Sequence, residues 1–188
     1  MIISKFLAFV CIWISLINLV NLLLCWMRSN CVNSVVIDNF RHIDIITRAS
    51  KMFDNVIVGV FVNGEKHPSF SIEERTRFLE KVVGDIPNVR VIGCDGLLAQ
   101  CAKELGATAV VKGLRAVSDF EYEFQMALIN RKLNPELDTV FLASDASYTY
   151  LSSSVVKNVA YHGGDISNFV PAAIHDEVFN RLNRKGNN

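Results

Sequence analysis

The sequence predicts an α/β protein built on a doubly wound parallel sheet. Three observations carry this. Short continuous runs of apolar and β-branched residues recur along the chain, and such runs suit strands buried on both faces. Between them lie segments with apolar residues at helical spacing, opened by serine capping signals and closed by glycine or Asn-Pro. From about residue 41 the two kinds of segment alternate, with no internal repeat and no low-complexity linker.

Each element follows from its residues. Ile45, Ile46, Ala49, Met52 and Phe53 mark the buried stripe of a first helix. NVIVGVFV (55–62) is a buried strand. SIEE (71–74) is a capping box that opens a helix running to about Val83, and NVRVIG (88–93) is the next strand. Leu97, Leu98, Cys101 and Leu105 form a helical stripe stopped by Gly106, followed by the strand ATAVVKG (107–113). SDFE (118–121) has the spacing of a second capping box, and its helix runs to about Leu133, before Asn134-Pro135. DTVFLA (138–143) is a strand, Ser152 or Ser153 caps a short helix ending at Gly163-Gly164, and Pro171 suits the first position of a last helix.

Composition excludes several classes. The 188 residues carry 19 basic and 19 acidic side chains, so no basic surplus exists to displace the counterions of a nucleic acid. With 51% hydrophobic residues the chain is not disordered. Cys11, Cys25, Cys31, Cys94 and Cys101 form neither a C-x-x-C pair nor a disulfide ladder, which points to a reducing, cytoplasmic compartment. The hydrophobic excess is uneven. Phe6 to Trp26 runs 21 residues without a charge, and the first acid is Asp38. A helix of that length spans roughly 30 Å, about the hydrocarbon thickness of a bilayer. Three readings stand for it: a membrane anchor, a buried N-terminal helix, or a stretch foreign to the native protein.

In a doubly wound sheet ligands bind beyond the carboxyl ends of the strands. Three loops there carry informative residues: Lys66 after the strand at 55–62, Lys112, Gly113 and Arg115 after the strand starting at Ala107, and Tyr148 to Ser154 before a helix. Lysine supplies a point charge, arginine a planar donor fork, and a helix start free N–H groups, a combination suited to phosphate. A glycine at 113 lets backbone approach a ligand closely. The residues therefore point to a site for a phosphorylated ligand, with a nucleotide as the expected class.

Several stretches resemble bacterial phosphopantetheine adenylyltransferases: HIDIITRAS (42–50), SIEER (71–75), KGLRAVSDFEYEFQMALINRKL (112–133) and LSSSVVK (151–157). The resemblance covers residues 41–182 without an obvious gap. It implies a Rossmann-like nucleotidyltransferase fold and a cytosolic, usually hexameric enzyme of coenzyme A synthesis. Such an enzyme joins ATP, with its Mg2+, to 4′-phosphopantetheine and releases dephospho-coenzyme A and pyrophosphate. It further implies His42 and Arg115 as catalytic groups, and Ser34, Lys66, Leu98 and Lys112 as contacts for phosphopantetheine. Ser34, His42, Gly113, Leu114, Arg115, Glu123 and the run Tyr148, Thr149, Tyr150, Leu151, Ser152, Ser153 and Ser154 fall on ATP-binding positions. No residue is singled out as a metal ligand.

The pattern breaks just before His42. Where the family has a Gly-Ser/Thr-Phe-Asp-Pro loop, this chain has Asn33, Ser34 and Val35-Val36-Ile37; where it has Thr-x-Gly, this chain has Asn39, Phe40 and Arg41. Lys112 replaces the usual arginine, keeping the charge and losing the fork. The expectation is a division into an atypical segment, 1–40, lacking the family's first strand and foreign to a functional enzyme's N-terminus, and an adenylyltransferase domain, 41–188. Two alternatives to the active enzyme accompany it: an inactive relative that keeps the fold, and a nucleotide-binding protein anchored by residues 6–26. A membrane is expected as a partner only in the last case.

Overall fold

A computed structural model describes residues 30–35, 40–61 and 69–183. The candidate span at residues 6–26 lies outside them. The elements are β1 (Asn30–Val35), α1 (Phe40–Met52), β2 (Asn55–Phe61), α2 (Ile72–Val83), β3 (Val89–Cys94), α3 (Leu98–Glu104), β4 (Ala109–Leu114), α4 (Val117–Leu133), β5 (Asp138–Ala143), a short 3-10 turn (Ala146–Tyr148), α5 (Ser153–Tyr161) and α6 (Ala172–Leu182). The five strands form one sheet in the order β3-β2-β1-β4-β5, and every neighbouring pair is parallel.

The first strand, expected to be missing, is present and central. Asn30–Val35 pairs with β2 on one side, Ser34 standing opposite Gly59, and with β4 on the other. The sheet thus begins on the amino side of the boundary expected at residues 40 and 41. Any short extended segment can supply backbone donors and acceptors to a parallel ladder. The slot between β2 and β4 therefore takes a strand that lacks the expected motif. Among the described residues no helix is long and apolar enough to cross a membrane.

The apolar runs are continuous because both faces of the sheet are covered. Val56, Val58 and Val60 of β2 and Ala109 and Val111 of β4 pack with Ile45, Ile46 and Ala49 of α1 and Leu79 and Val83 of α2. Their sequence neighbours Ile57 and Val110 point the other way, toward Ala99 and Ala102 of α3 and Leu137. The period of two sends alternate residues of one strand into two different cores. A third cluster joins Phe70 and Phe78 to Val156 and Ala160 of α5 and Ile174 and Val178 of α6.

Helix ends follow local chemistry. Ser71 and Glu74 close the expected capping box: Glu74 N–H donates to Ser71 Oγ at 3.2 Å, and Ser71 N–H to Glu74 Oε2 at 2.8 Å. Gly106 takes φ +64° just past α3, the left-handed position that favours glycine. The second expected capping box does not form. Helix α4 starts two residues earlier than that box implies, at Val117, with Ala116 in the cap position, so Ser118 is already helical. Ser152 caps α5, and Pro171 occupies the cap position of α6 rather than its first turn.

Candidate active site

The strand order reverses between β1 and β4, since the chain builds outward to β3 and then returns to lay β4 on the opposite side of β1. At such a crossover the flanking loops diverge and leave a crevice beyond the carboxyl ends. Three elements meet there: the first turn of α1, the end of β4 leading into α4, and the loop after β5.

Helix α1 is fixed against this edge at several points. Phe40 stacks on Tyr148, with ring centroids 6.1 Å apart. Arg48 donates from Nη1 to Ala143 O at 2.7 Å, and also to Asp44 Oδ2 at 3.2 Å. Gly113 explains how close α1 can come. A β-carbon on it would lie 2.8 Å from Ile45 Cγ1 and 3.1 Å from Ile45 Cδ1. The sequence suggested a glycine kept for ligand approach; in the structure it admits the helix that carries His42.

His42 lies in the first turn of α1, where Arg41 donates from Nη2 to its Nε2 at 3.2 Å. On β4, Lys112 Nζ is 3.5 Å from Glu123 Oε2 on α4. Arg115 meets Asp119 through two hydrogen bonds, Nε to Oδ2 at 2.6 Å and Nη2 to Oδ1 at 2.9 Å. That fork raises the pKa of Arg115 and lowers that of Asp119. Arg41 moves the opposite way. Burial and then the Arg115 guanidinium lower its pKa, against the pull of Asp119 and Glu123. Among the described residues, the buried side-chain atoms at this edge that make no hydrogen bond include Arg41 Nε, Glu123 Oε2 and Ser144 Oγ.

The structure brings His42, Lys112, Gly113, Leu114, Arg115 and Glu123 to one edge, with Tyr148 joined through Phe40. The rest of the loop divides its tasks. Thr149 Oγ1 donates to Asp145 O, and Tyr150 is exposed beside Phe169. Ser152 Oγ accepts from Val155 N–H, while Ser153 and Ser154 form the first turn of α5. Leu151 is fully buried, so its side chain serves the core and only its backbone is available to a ligand. Leu98 opens α3 and packs on the opposite face of the sheet from α1, with the cluster of Ile57 and Val110. Lys66 and the side chain of Ser34 lie outside what is described.

Asp119, Arg48 and Arg75 were not foreseen as contributors. Asp119 stands four residues after Arg115, a spacing that could have suggested the pair. Arg75 is 4% exposed and donates from Nη1 to Phe61 O at 3.2 Å, bracing the end of β2. Arg48 and Arg75 lie in the quoted stretches 42–50 and 71–75, but only the tertiary structure shows that they hold Ala143 O and Phe61 O.

Residues 40–159 match the family model for cytidylyltransferase-like domains. The phosphopantetheine adenylyltransferase of Lachnoclostridium phytofermentans is 50% identical over 144 residues, which is 77% of this chain and 88% of that protein. That of Caldanaerobacter subterraneus is 51% identical over 145 residues, 77% of this chain and 91% of its own. Among solved structures, a bifunctional NMN adenylyltransferase/ADP ribose pyrophosphatase from Francisella tularensis superposes with a TM-score of 0.56 at 17% identity, over 86% of this chain and 54% of that one, a likeness of fold.

Proposed function

Since this chain belongs to the phosphopantetheine adenylyltransferase family, whose members match it at about 50% identity over 77% of its length, we propose that the crevice between β1 and β4 is where it joins ATP to 4′-phosphopantetheine. An oxygen of the acceptor's phosphate attacks the α-phosphorus in line. A new P–O–P linkage forms, the bond from the α-phosphorus to the bridging oxygen breaks with its electrons on that oxygen, and pyrophosphate leaves. Dephospho-coenzyme A is the other product. The acceptor oxygen is already anionic, so positioning and charge stabilisation suffice and no strong general base is needed.

The observation that carries this is the gathering of His42, Lys112 and Arg115 at the strand crossover. His42 and Arg115 stabilise charge on the transferring phosphoryl group. Lys112, with Lys66 and Ser34, holds the phosphate of phosphopantetheine, and the backbone of Leu98 meets its arm. Gly113, Leu114 and Glu123 with the run 148–154 hold ATP, whose phosphates face the first turn of α5. Mg2+, which the family resemblance implies, would neutralise part of the charge of ATP when bound. The carboxylates at this edge fit an ion borne by the nucleotide rather than a protein cage, because Asp119 is engaged by Arg115 and Glu123 faces Lys112.

We further propose a homo-oligomer, a hexamer by family resemblance. On α4, Phe120, Phe124 and Leu128 are exposed on one side and Tyr122, Ile129 and Leu133 on the other, and further copies of this chain cover these apolar residues. A cytoplasmic location suits Cys94 and Cys101, which are in contact yet unpaired as thiols, with Cys94 pushed up to about 12 by burial and by its neighbour.

The test is pyrophosphate release by the full-length protein given ATP and 4′-phosphopantetheine. Turnover that disappears in His42→Ala is expected; a folded protein with no turnover above background would overturn the proposal.

A further inference from the structure

Arg41 stands next to His42 at a position where the resemblance has glycine, bonded to His42 and within electrostatic reach of Arg115, Asp119 and Glu123. Its Nη2 group is committed to His42 Nε2, while its buried Nε–H has no acceptor. Of the carboxylates within electrostatic reach, Asp119 holds both arms of Arg115, and Glu123 forms an ion pair with Lys112 at 3.5 Å and makes no hydrogen bond to Arg41. A buried donor left without an acceptor is destabilising, and two neighbouring guanidinium groups repel each other. An anion between them answers both conditions at once. Phosphate oxygens do so with the geometry an arginine fork prefers.

We propose that Arg41 is a further substrate-binding residue, contacting the polyphosphate of the nucleotide alongside Arg115. The proposal rests on the reading of this edge as the ATP site. Because Arg41 can only donate, its bond to His42 makes Nε2 the acceptor, so the guanidinium shields that nitrogen until an anion draws it away. Arriving polyphosphate exchanges the His42 contact for phosphate oxygens, frees the imidazole to face the transferring group, and gives Arg41 Nε–H its missing acceptor. The substitution thereby adds a cation where the resemblance has no side chain.

The repulsion between the guanidinium groups is consistent with this assignment. Burial and Arg115 both lower the pKa of Arg41, and a bound anion reverses that balance by stabilising the charged form.

The experiment is calorimetric titration of full-length wild type, Arg41→Gln, Arg41→Lys and Arg41→Gly with ATP, and separately with 4′-phosphopantetheine, together with a thermal melt of each. Loss of one charge-assisted contact is expected to weaken ATP binding by about tenfold in Arg41→Gln. Phosphopantetheine binding is expected to change by less than about twofold, Tm to hold, and Arg41→Lys to recover part of the loss. Unchanged or tighter ATP binding in Arg41→Gln and Arg41→Gly would show a side chain that blocks the nucleotide, and would overturn the proposal. Equal weakening toward both substrates, or a folding defect in Gln and Gly variants with ATP affinity in Arg41→Lys matching wild type, would show a structural role and overturn it too. A folded wild type that binds no ATP would overturn the site reading itself, an outcome separate from any difference between variants.

Discussion

Arg115 holds Asp119 through a two-point fork, Nε to Oδ2 at 2.6 Å and Nη2 to Oδ1 at 2.9 Å, and so arrives at the crevice with its orientation already set. The pair joins the end of β4 to the first turns of α4. A guanidinium fixed in this way loses less side-chain entropy when phosphate binds.

Asp119→Asn tests that pre-orientation. The variant keeps a side chain of the same size and removes the charge that anchors the fork. KM for ATP is expected to rise about tenfold, with kcat falling less, in steady-state pyrophosphate release. An unchanged KM would show that Arg115 orients without Asp119.

The same pair gives a pH dependence of stability. Arg115 lowers the pKa of Asp119 in the folded state, so the folded protein resists protonation of that carboxylate. The stabilisation is fully present above the unfolded value of about 3.9 and is lost as the pH falls through the lower, folded value. Melting temperatures of wild type and Asp119→Asn are expected to differ at neutral pH and to converge in acid. Parallel curves down to low pH would refute the linkage.

Gly113→Ala places a methyl 2.8 Å from Ile45 Cγ1, and Ile45 is only 2% exposed, so the contact must be relieved within the core. Overpacking of this kind costs about 1–3 kcal/mol. Ile45→Ala alone is expected to cost about 2–5 kcal/mol through its cavity. In the double variant the added methyl enters space the isoleucine has left, so urea denaturation is expected to show a cost below the sum. Strict additivity would mean that the two residues do not share the contact.

Ser71→Ala breaks the capping box of α2. The expected loss is about 1 kcal/mol in denaturant unfolding, with activity retained, because one N–H of the first turn loses its acceptor.

Leu128→Glu puts a charge on the exposed apolar surface of α4. Light scattering of the purified protein is expected to report a smaller assembly than wild type, since a buried unpaired carboxylate opposes association. A wild type that is already monomeric would remove the case for that surface as an interface.

Most of the fold was legible because its signals are local. The runs at 55–62 and 138–143 read as strands, and Ser71 and Glu74 read as a helix start, from residues no more than a few positions apart. Where local cues compete, the reading slips: Ser118 and Glu121 have capping-box spacing, yet the helix begins at Val117. The first strand was harder still. NCVNSV (30–35) has no continuous apolar run, and its role comes from the two strands on either side of it.

By itself the sequence determined the alternation of elements, the parallel sheet, and the presence of His42, Lys112, Arg115 and Ser152 in segments that follow strands or begin helices. These are consequences of hydrophobic period and capping chemistry, which act over a few residues. Tertiary structure alone decided that β1 lies between β2 and β4, that Gly113 serves the approach of Ile45, that Leu151 belongs to the core, and that Asp119 orients Arg115. The physical reason is that packing and charge pairing depend on distances between segments far apart in the chain. Arg41 shows the difference most plainly. In the sequence it is a departure from a motif; in the structure it is a cation held on His42 with a buried N–H that has no acceptor.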